Sequence, residues 1–184
     1  MIAGMLQTQT HRPLEPLPAP SLGRLAAATV TDLRWVQPSA LRMQYELRLA
    51  GQPIARMRFQ GLLSSKALAE CAEGCWSIER AGTSQGKTII HMTGERSDVS
   101  MFEMGARDRG GTLLLSDGRR FTLTSDFWKG RGEISTEQGE PLVRLRFHGV
   151  LRQSCTVDLL SNATRLPELP CLLMLGWYLN VAYL

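Results

Sequence analysis

Arginine is the residue through which this sequence offers most chemistry. Arg56 and Arg58 stand two apart in Gly51-Gln-Pro-Ile-Ala-Arg-Met-Arg-Phe59, and Arg144 and Arg146 repeat the spacing in Gly139-Glu-Pro-Leu-Val-Arg-Leu-Arg-Phe147. A separation of two puts both side chains on one face of a strand. The guanidinium fork matches phosphate and carboxylate oxygens, so each pair is a candidate anion site. If the two copies pair or lie side by side, the four arginines form one patch. The competing reading makes them the solvated positions of two strands. The chain holds 18 Arg and 3 Lys, and its 17 acidic residues are interleaved with them to leave a net charge of +4.

Other chemistry is thin. Gly82-Thr-Ser-Gln-Gly86-Lys87-Thr88 approaches a phosphate-binding loop, but it is one residue short, and Ile-Ile-His-Met-Thr reads as a strand where that motif needs a helix. His11, His91 and His148 stand in no nucleophile motif, and Glu95 and Asp98 flank Arg96 in what reads as a solvated turn. Cys71-x3-Cys75 is half of a zinc pattern with no second half. Cys155 and Cys171 complete a set too sparse for a disulfide framework, which suits reduced thiols in a cytoplasmic protein. No catalytic residue, metal site or cofactor fingerprint is assigned. Sparse lysine and few exposed-looking aromatics argue against nucleic acid as a partner.

The elements that must carry these residues are strands. Met43, Tyr45, Leu47 and Leu49 alternate with polar residues, Ala50 to Pro53 turns the chain, and Ala55, Met57 and Phe59 alternate on the way back. Lys66 to Arg80 has helix formers in its first half, yet Glu73-Gly74 ahead of Trp76 and Ile78 favours a second hairpin. Lys87 to Thr93 and Val99 to Met104 add strands. Asp117-Gly118 between Thr112–Leu115 and Phe121–Thr124 suggests a two-residue hairpin turn with positive φ at both central positions. Val143, Leu145 and Phe147 alternate again, and Val150 to Leu160 closes the series. About twelve strands at such spacing indicate an all-β barrel or sandwich. The shared motif of 51–59 and 139–147 suits a barrel whose halves each contain the same hairpin.

Two segments depart from this pattern. Residues 1–23 form a flexible arm, with Pro13, Pro16, Pro18 and Pro20 favouring extended chain. Met1 to Leu6 is too short, and lacks the basic start, for an export signal. At the other end, no charged residue follows Glu168, and residues 167–184 read as a helix apolar on every side, opened by Pro167 and Pro170 with Glu168 complementing the dipole. Such a helix must be wrapped by protein or inserted in lipid. The uncharged run from Leu169 to Leu184 would be about 24 Å long, short of the roughly 30 Å a bilayer core demands. A core helix is therefore favoured over a membrane anchor, with Gly176 marking where the wall comes close.

The stretches Tyr45–Phe59, Glu73-Gly-Cys-Trp-Ser-Ile-Glu-Arg80, Gly111-Thr-Leu-Leu-Leu-Ser-Asp-Gly-Arg119 and Leu166-Pro-Glu-Leu-Pro through Leu184 together resemble the tubby C-terminal-like superfamily, which includes the phospholipid scramblases and the LURP-one-related proteins. The resemblance covers about residues 25–184. It implies a closed antiparallel barrel of about twelve strands enclosing a hydrophobic C-terminal helix, in a domain spanning 24–184. Some members of that superfamily bind phosphoinositides, but their basic lipid-binding pair has no counterpart here that can be matched residue by residue, and neither has a scramblase calcium segment. The resulting expectation is a non-enzymatic binding or scaffold domain, cytoplasmic and peripheral to membrane, recognising anionic phospholipid or an acidic protein surface through Arg56, Arg58, Arg144 and Arg146. The alternatives are a carrier or enzyme with a site in the barrel lumen, and a protein anchored by its C-terminus.

Overall fold

The structure, a computed structural model, describes residues 32–61, 64–82, 86–93, 99–105, 110–126, 130–149, 153–160 and 162–183. The expected arm, 1–23, lies outside them, as do His11, Glu95, Arg96 and Asp98. Twelve strands run in chain order: β1 (Leu33–Val36), β2 (Gln44–Leu49), β3 (Gln52–Phe59), β4 (Ala67–Cys71), β5 (Gly74–Arg80), β6 (Lys87–Thr93), β7 (Val99–Met104), β8 (Gly110–Leu114), β9 (Arg120–Asp126), β10 (Arg131–Thr136), β11 (Pro141–His148) and β12 (Ser154–Leu159). Each pairs antiparallel with its sequence neighbours, and β12 pairs with β1 to close the barrel. The one α-helix among the described residues, α1 (Leu169–Ala182), follows a 3-10 turn at Ala163–Arg165.

Alternation in the sequence becomes inside and outside. Tyr45 and Leu47, Met57 and Phe59, Trp76 and Ile78, Phe121 and Leu123, and Leu145 point inward and are buried. Lys66 to Arg80 is the hairpin β4–β5, because Ala67, Ala69, Trp76 and Ile78 keep a period of two that a helix would break.

The turn at Asp117-Gly118 differs from expectation. Only Gly118 has positive φ, at 89°. The Gly118 amide donates to the Leu115 carbonyl and the Leu115 amide to the Arg119 carbonyl, so a tight turn is followed by one left-handed glycine. The paired positive φ angles occur instead at Ala50 (47°) and Gly51 (82°), between β2 and β3.

The internal repeat resolves into a shared irregularity. In β3, Pro53 faces Arg48 and Ala55 faces Leu47, leaving Ile54 as the extra residue of a β-bulge. In β11, Pro141 faces Ser135 and Val143 faces Ile134, leaving Leu142 in the same role. Both bulges turn two consecutive apolar residues into the core, Ile54-Ala55 and Leu142-Val143. Gly51 and Gly139 ahead of them share a φ of 82°. The two hairpins fall in different six-strand halves of the ring, β1–β6 and β7–β12, yet near the seam between them. Only β1 and β12 stand between β2 and β11.

Twelve strands at about 4.8 Å spacing and a tilt near 40° close at a radius of about 12 Å. Inward side chains and a helix of about 5–6 Å radius nearly fill that space. Leu172 to Tyr178 are seven consecutive buried residues, so the helix is enclosed on all sides for two turns. Among the described residues, no helix is long and apolar enough to cross a membrane. Glu168 occupies the N-cap without a side-chain capping bond. Its carboxylate instead accepts from Arg119, which also donates to Asp117 and so ties the β8–β9 turn to the helix start.

The helix is held asymmetrically. Trp177 stacks on Trp35, with centroids 5.6 Å apart, and meets Tyr45 edge-on at 5.2 Å. Tyr178 stacks on Phe59 at 5.6 Å and donates to the Ser65 carbonyl. These aromatic side chains bridge α1 to β1, β2 and β3. On another side, a Cβ placed on Gly176 would lie 3.0 Å from Leu145 Cδ1 and 3.4 Å from Ile134 Cδ1. The expectation for Gly176 holds: the β10–β11 wall approaches the helix there.

Candidate anion-binding surface

Arg56, Arg58, Arg144 and Arg146 all stand at outward positions, as the alternation of their strands requires. They do not form one patch. β2, β1 and β12 separate β3 from β11, about four interstrand spacings or ~19 Å along the sheet. The shared hairpin reflects a repeated local solution to bulge and turn geometry, which carries no requirement that the copies be neighbours.

Around β3, carboxylates offset much of the charge. Arg56 faces Glu46 on β2 and Glu70 on β4, with Nε 3.9 Å from a Glu46 oxygen. Arg48 donates to the other Glu46 oxygen at 2.7 Å. Burial raises the Glu70 carboxyl above its ordinary value, and Arg56 and Arg58 partly oppose that shift. Arg58 itself faces Gln44 and Leu68.

The β11 pair sits differently. Arg144 faces Glu133 on β10 and donates to it at 3.2 Å, while Arg146 donates to Asp158 on β12 at 2.6 Å. Cross-strand from Arg146 on β10 is Arg131, a third outward arginine. It is exposed and makes no ion pair among the described residues. Arg131, Arg144 and Arg146 line one outer groove of about 700 Å³, with Thr124, Ser125, Asp126 and Glu133 on its other walls. Three guanidinium groups therefore border a space that also presents hydroxyls.

The carboxylates bordering this groove do not close it to an anion. Exposed ion pairs are worth about 0–1 kcal/mol each. A phosphate carries about −1.5 to −2 charge and three acceptor oxygens, enough to compete for Arg144 and Arg146. Arg131 escaped the sequence reading because Arg-Gly-Glu-Ile-Ser-Thr shows no repeat of the Arg-x-Arg pattern. Its only signal is register: counting back across the turn at Gly139 from Arg146 arrives at Arg131.

The remaining candidates stay apart. His91 and His148 stand on β6 and β11, and His148 Nε2 lies 3.3 Å from Thr156 Oγ1 on the outer wall. Lys87 belongs to a strand, as its flanking residues indicated. Cys71 donates to Glu73 across its own turn, and burial, as the main cause, pushes its thiol up to about 12. Cys155 and Cys171 are raised to about 12 as well, again mainly by burial. Among the described residues, no group of three or more His, Cys, Asp or Glu is placed to hold a metal. No family model, curated protein or solved structure matches this chain.

Proposed function

We propose that this protein is a non-enzymatic binding domain that recognises phosphate-bearing lipid headgroups through the outer groove between β9 and β11. The observation that carries the reading is the convergence of Arg131, Arg144 and Arg146 on one groove, where Arg131 faces Asp126 across β9 but makes no ion pair among the described residues. The resemblance to the tubby C-terminal-like superfamily supports the same direction, since that superfamily includes phosphoinositide-binding domains. Arg56 and Arg58 become a separate and weaker site, because Glu46 and Glu70 flank them.

Vesicle flotation at near-physiological salt tests this reading. Wild type is compared on phosphatidylcholine vesicles and on vesicles that also contain a phosphoinositide. An Arg131→Gln/Arg144→Gln/Arg146→Gln variant should lose binding to the anionic vesicles, while Arg56→Gln/Arg58→Gln should retain most of it. Equal losses in the two variants would show that net charge acts rather than the groove. Absence of wild-type binding to either vesicle type would remove lipid as the partner and leave a scaffold domain. Binding should also weaken as salt rises, because the contacts are exposed to solvent.

A further inference from the structure

The barrel interior holds a cavity behind the wall that carries the anion groove. It lies between α1 and the wall from β7 to β11, has a volume of about 130 Å³, and is lined chiefly by Phe102, Leu123, Ile134, Leu145, Phe147 and Leu179. Two features of the chain produce it. The largest side chains of α1, Trp177 and Tyr178, are directed at Trp35 and Phe59 on β1 and β3. On the opposite wall, glycines stand at Gly110 and Gly132, and Gly176 faces the same space from the helix. A side chain on Gly110 would collide with the β9 backbone, its Cβ falling 2.0 Å from the Leu123 carbonyl oxygen, so that part of the wall stays bare.

One polar group inside is out of place for a helix core. Asn180 is the sole amide side chain in α1, it is half-buried against this cavity, and it makes no side-chain hydrogen bond among the described residues. It offers both N–H donors and a carbonyl acceptor. The nearby Tyr183 hydroxyl is already engaged with Thr88 Oγ1, at 3.2 Å. The charged side chain on the lining is Glu133, and no described Lys or Arg contributes to it. Thr124 and Ser125, both exposed, place its mouth at the surface.

We infer that this cavity binds a small neutral molecule with an apolar ring or short alkyl body and one hydrogen-bonding group, the body resting against Ile134, Leu145 and Leu179 and the polar group on the Asn180 amide. The size follows from the volume: an apolar cavity of about 150 Å³ accepts benzene, so the body has about six carbon atoms. Neutrality follows from the lining. An anion would find no described Lys or Arg on this lining, and Glu133 at its rim turns its carboxylate to Arg144 on the outer face, whereas an uncharged hydroxyl or amide satisfies Asn180 at no desolvation penalty for a charge. The inference does not rest on the arginine groove, although Thr124, Ser125, Gly132, Glu133 and Leu145 border both spaces.

Phenol is the probe, benzoate its anionic counterpart, and methyl NMR together with thermal unfolding of the full chain the readout. Phenol at millimolar concentration should raise the melting temperature saturably and shift the methyl resonances of Ile134, Leu145 and Leu179. Benzoate should do neither. Asn180→Leu keeps the volume and removes the amide, and should weaken phenol binding roughly tenfold, the weight of one hydrogen bond. Leu179→Phe fills the cavity and should abolish the response. If that variant does not fold, the wild-type methyl shifts decide alone. No saturable response to phenol, equal responses to phenol and benzoate, or shifts at methyls outside the lining would each overturn the proposal.

Discussion

The indole of Trp177 lies flat on that of Trp35, with planes 8° from parallel and centroids 5.6 Å apart. One ring belongs to α1 and the other to β1, the last and first of the described elements. Tyr45 and Phe147 close on Trp177 from either side. The stack therefore joins the central helix to the seam where β1 and β12 close the barrel. Trp177→Ala should destabilise the protein by about 3–5 kcal/mol, measured by chemical denaturation, with Trp177→Phe costing less. A loss under about 1 kcal/mol would mean that the helix is not anchored through this ring.

Gly176 separates two opposing effects. Alanine is about 1 kcal/mol better in a helix interior, but its methyl would press on Leu145 and Ile134 at 3.0 and 3.4 Å. Both contacts are to the ends of side chains, which yield by a few tenths of an ångström. Gly176→Ala should therefore change stability little. Gly176→Val should destabilise by about 1–3 kcal/mol through overpacking. A tolerated valine in a denaturation series would show that the wall is looser than the contacts indicate.

Ala50 and Gly51 both adopt left-handed φ in the β2–β3 turn. For alanine that conformation costs about 1–2 kcal/mol, and asparagine tolerates it better. Ala50→Asn should stabilise by about 0.5–1 kcal/mol, read calorimetrically as a rise in melting temperature of about 1–4 °C. Gly51→Ala, at a φ of 82°, should lower it although no atom lies near enough to clash. A rise in both variants would place the strain elsewhere.

Stability should fall under alkaline conditions, and the sign follows from proton binding. Burial holds the Cys155, Cys171 and Cys71 thiols at about 12 and the Tyr45 hydroxyl at about 12 in the folded chain. Unfolded, thiols lose their protons near 8.5 and tyrosine near 10. Between those values and about 12 the folded state binds more protons, so unfolding becomes more favourable as pH rises. Their full contribution is present below pH ~8.5. Denaturant midpoints from pH 8 to 11 should decline, and a Cys155→Ala/Cys171→Ala variant should decline less from its own starting value. In the same range, a thiol reagent should reach exposed Cys75 before buried Cys155. Reversed labelling order would contradict the burial.

Much of this architecture is legible in the residues themselves. Period-two alternation identifies the inward face of β2 and β3 because strand geometry gives successive side chains no alternative. A run from Cys171 without a charge forces α1 out of water, into protein or lipid, since a helix with no polar stripe has no face to give to water; that the barrel encloses it is seen only in the fold. Register and closure are different in kind. Whether Arg56 and Arg144 meet depends on how many strands lie between them, and no local preference encodes that number. The partnership of Arg131 with Arg146 likewise exists only across a hydrogen-bonded ladder. The cavity beside Asn180 arises because the large aromatic side chains of α1 face one arc of the ring while glycines stand on the other. That difference between two walls is a property of the assembled barrel, and no single stretch of sequence contains it.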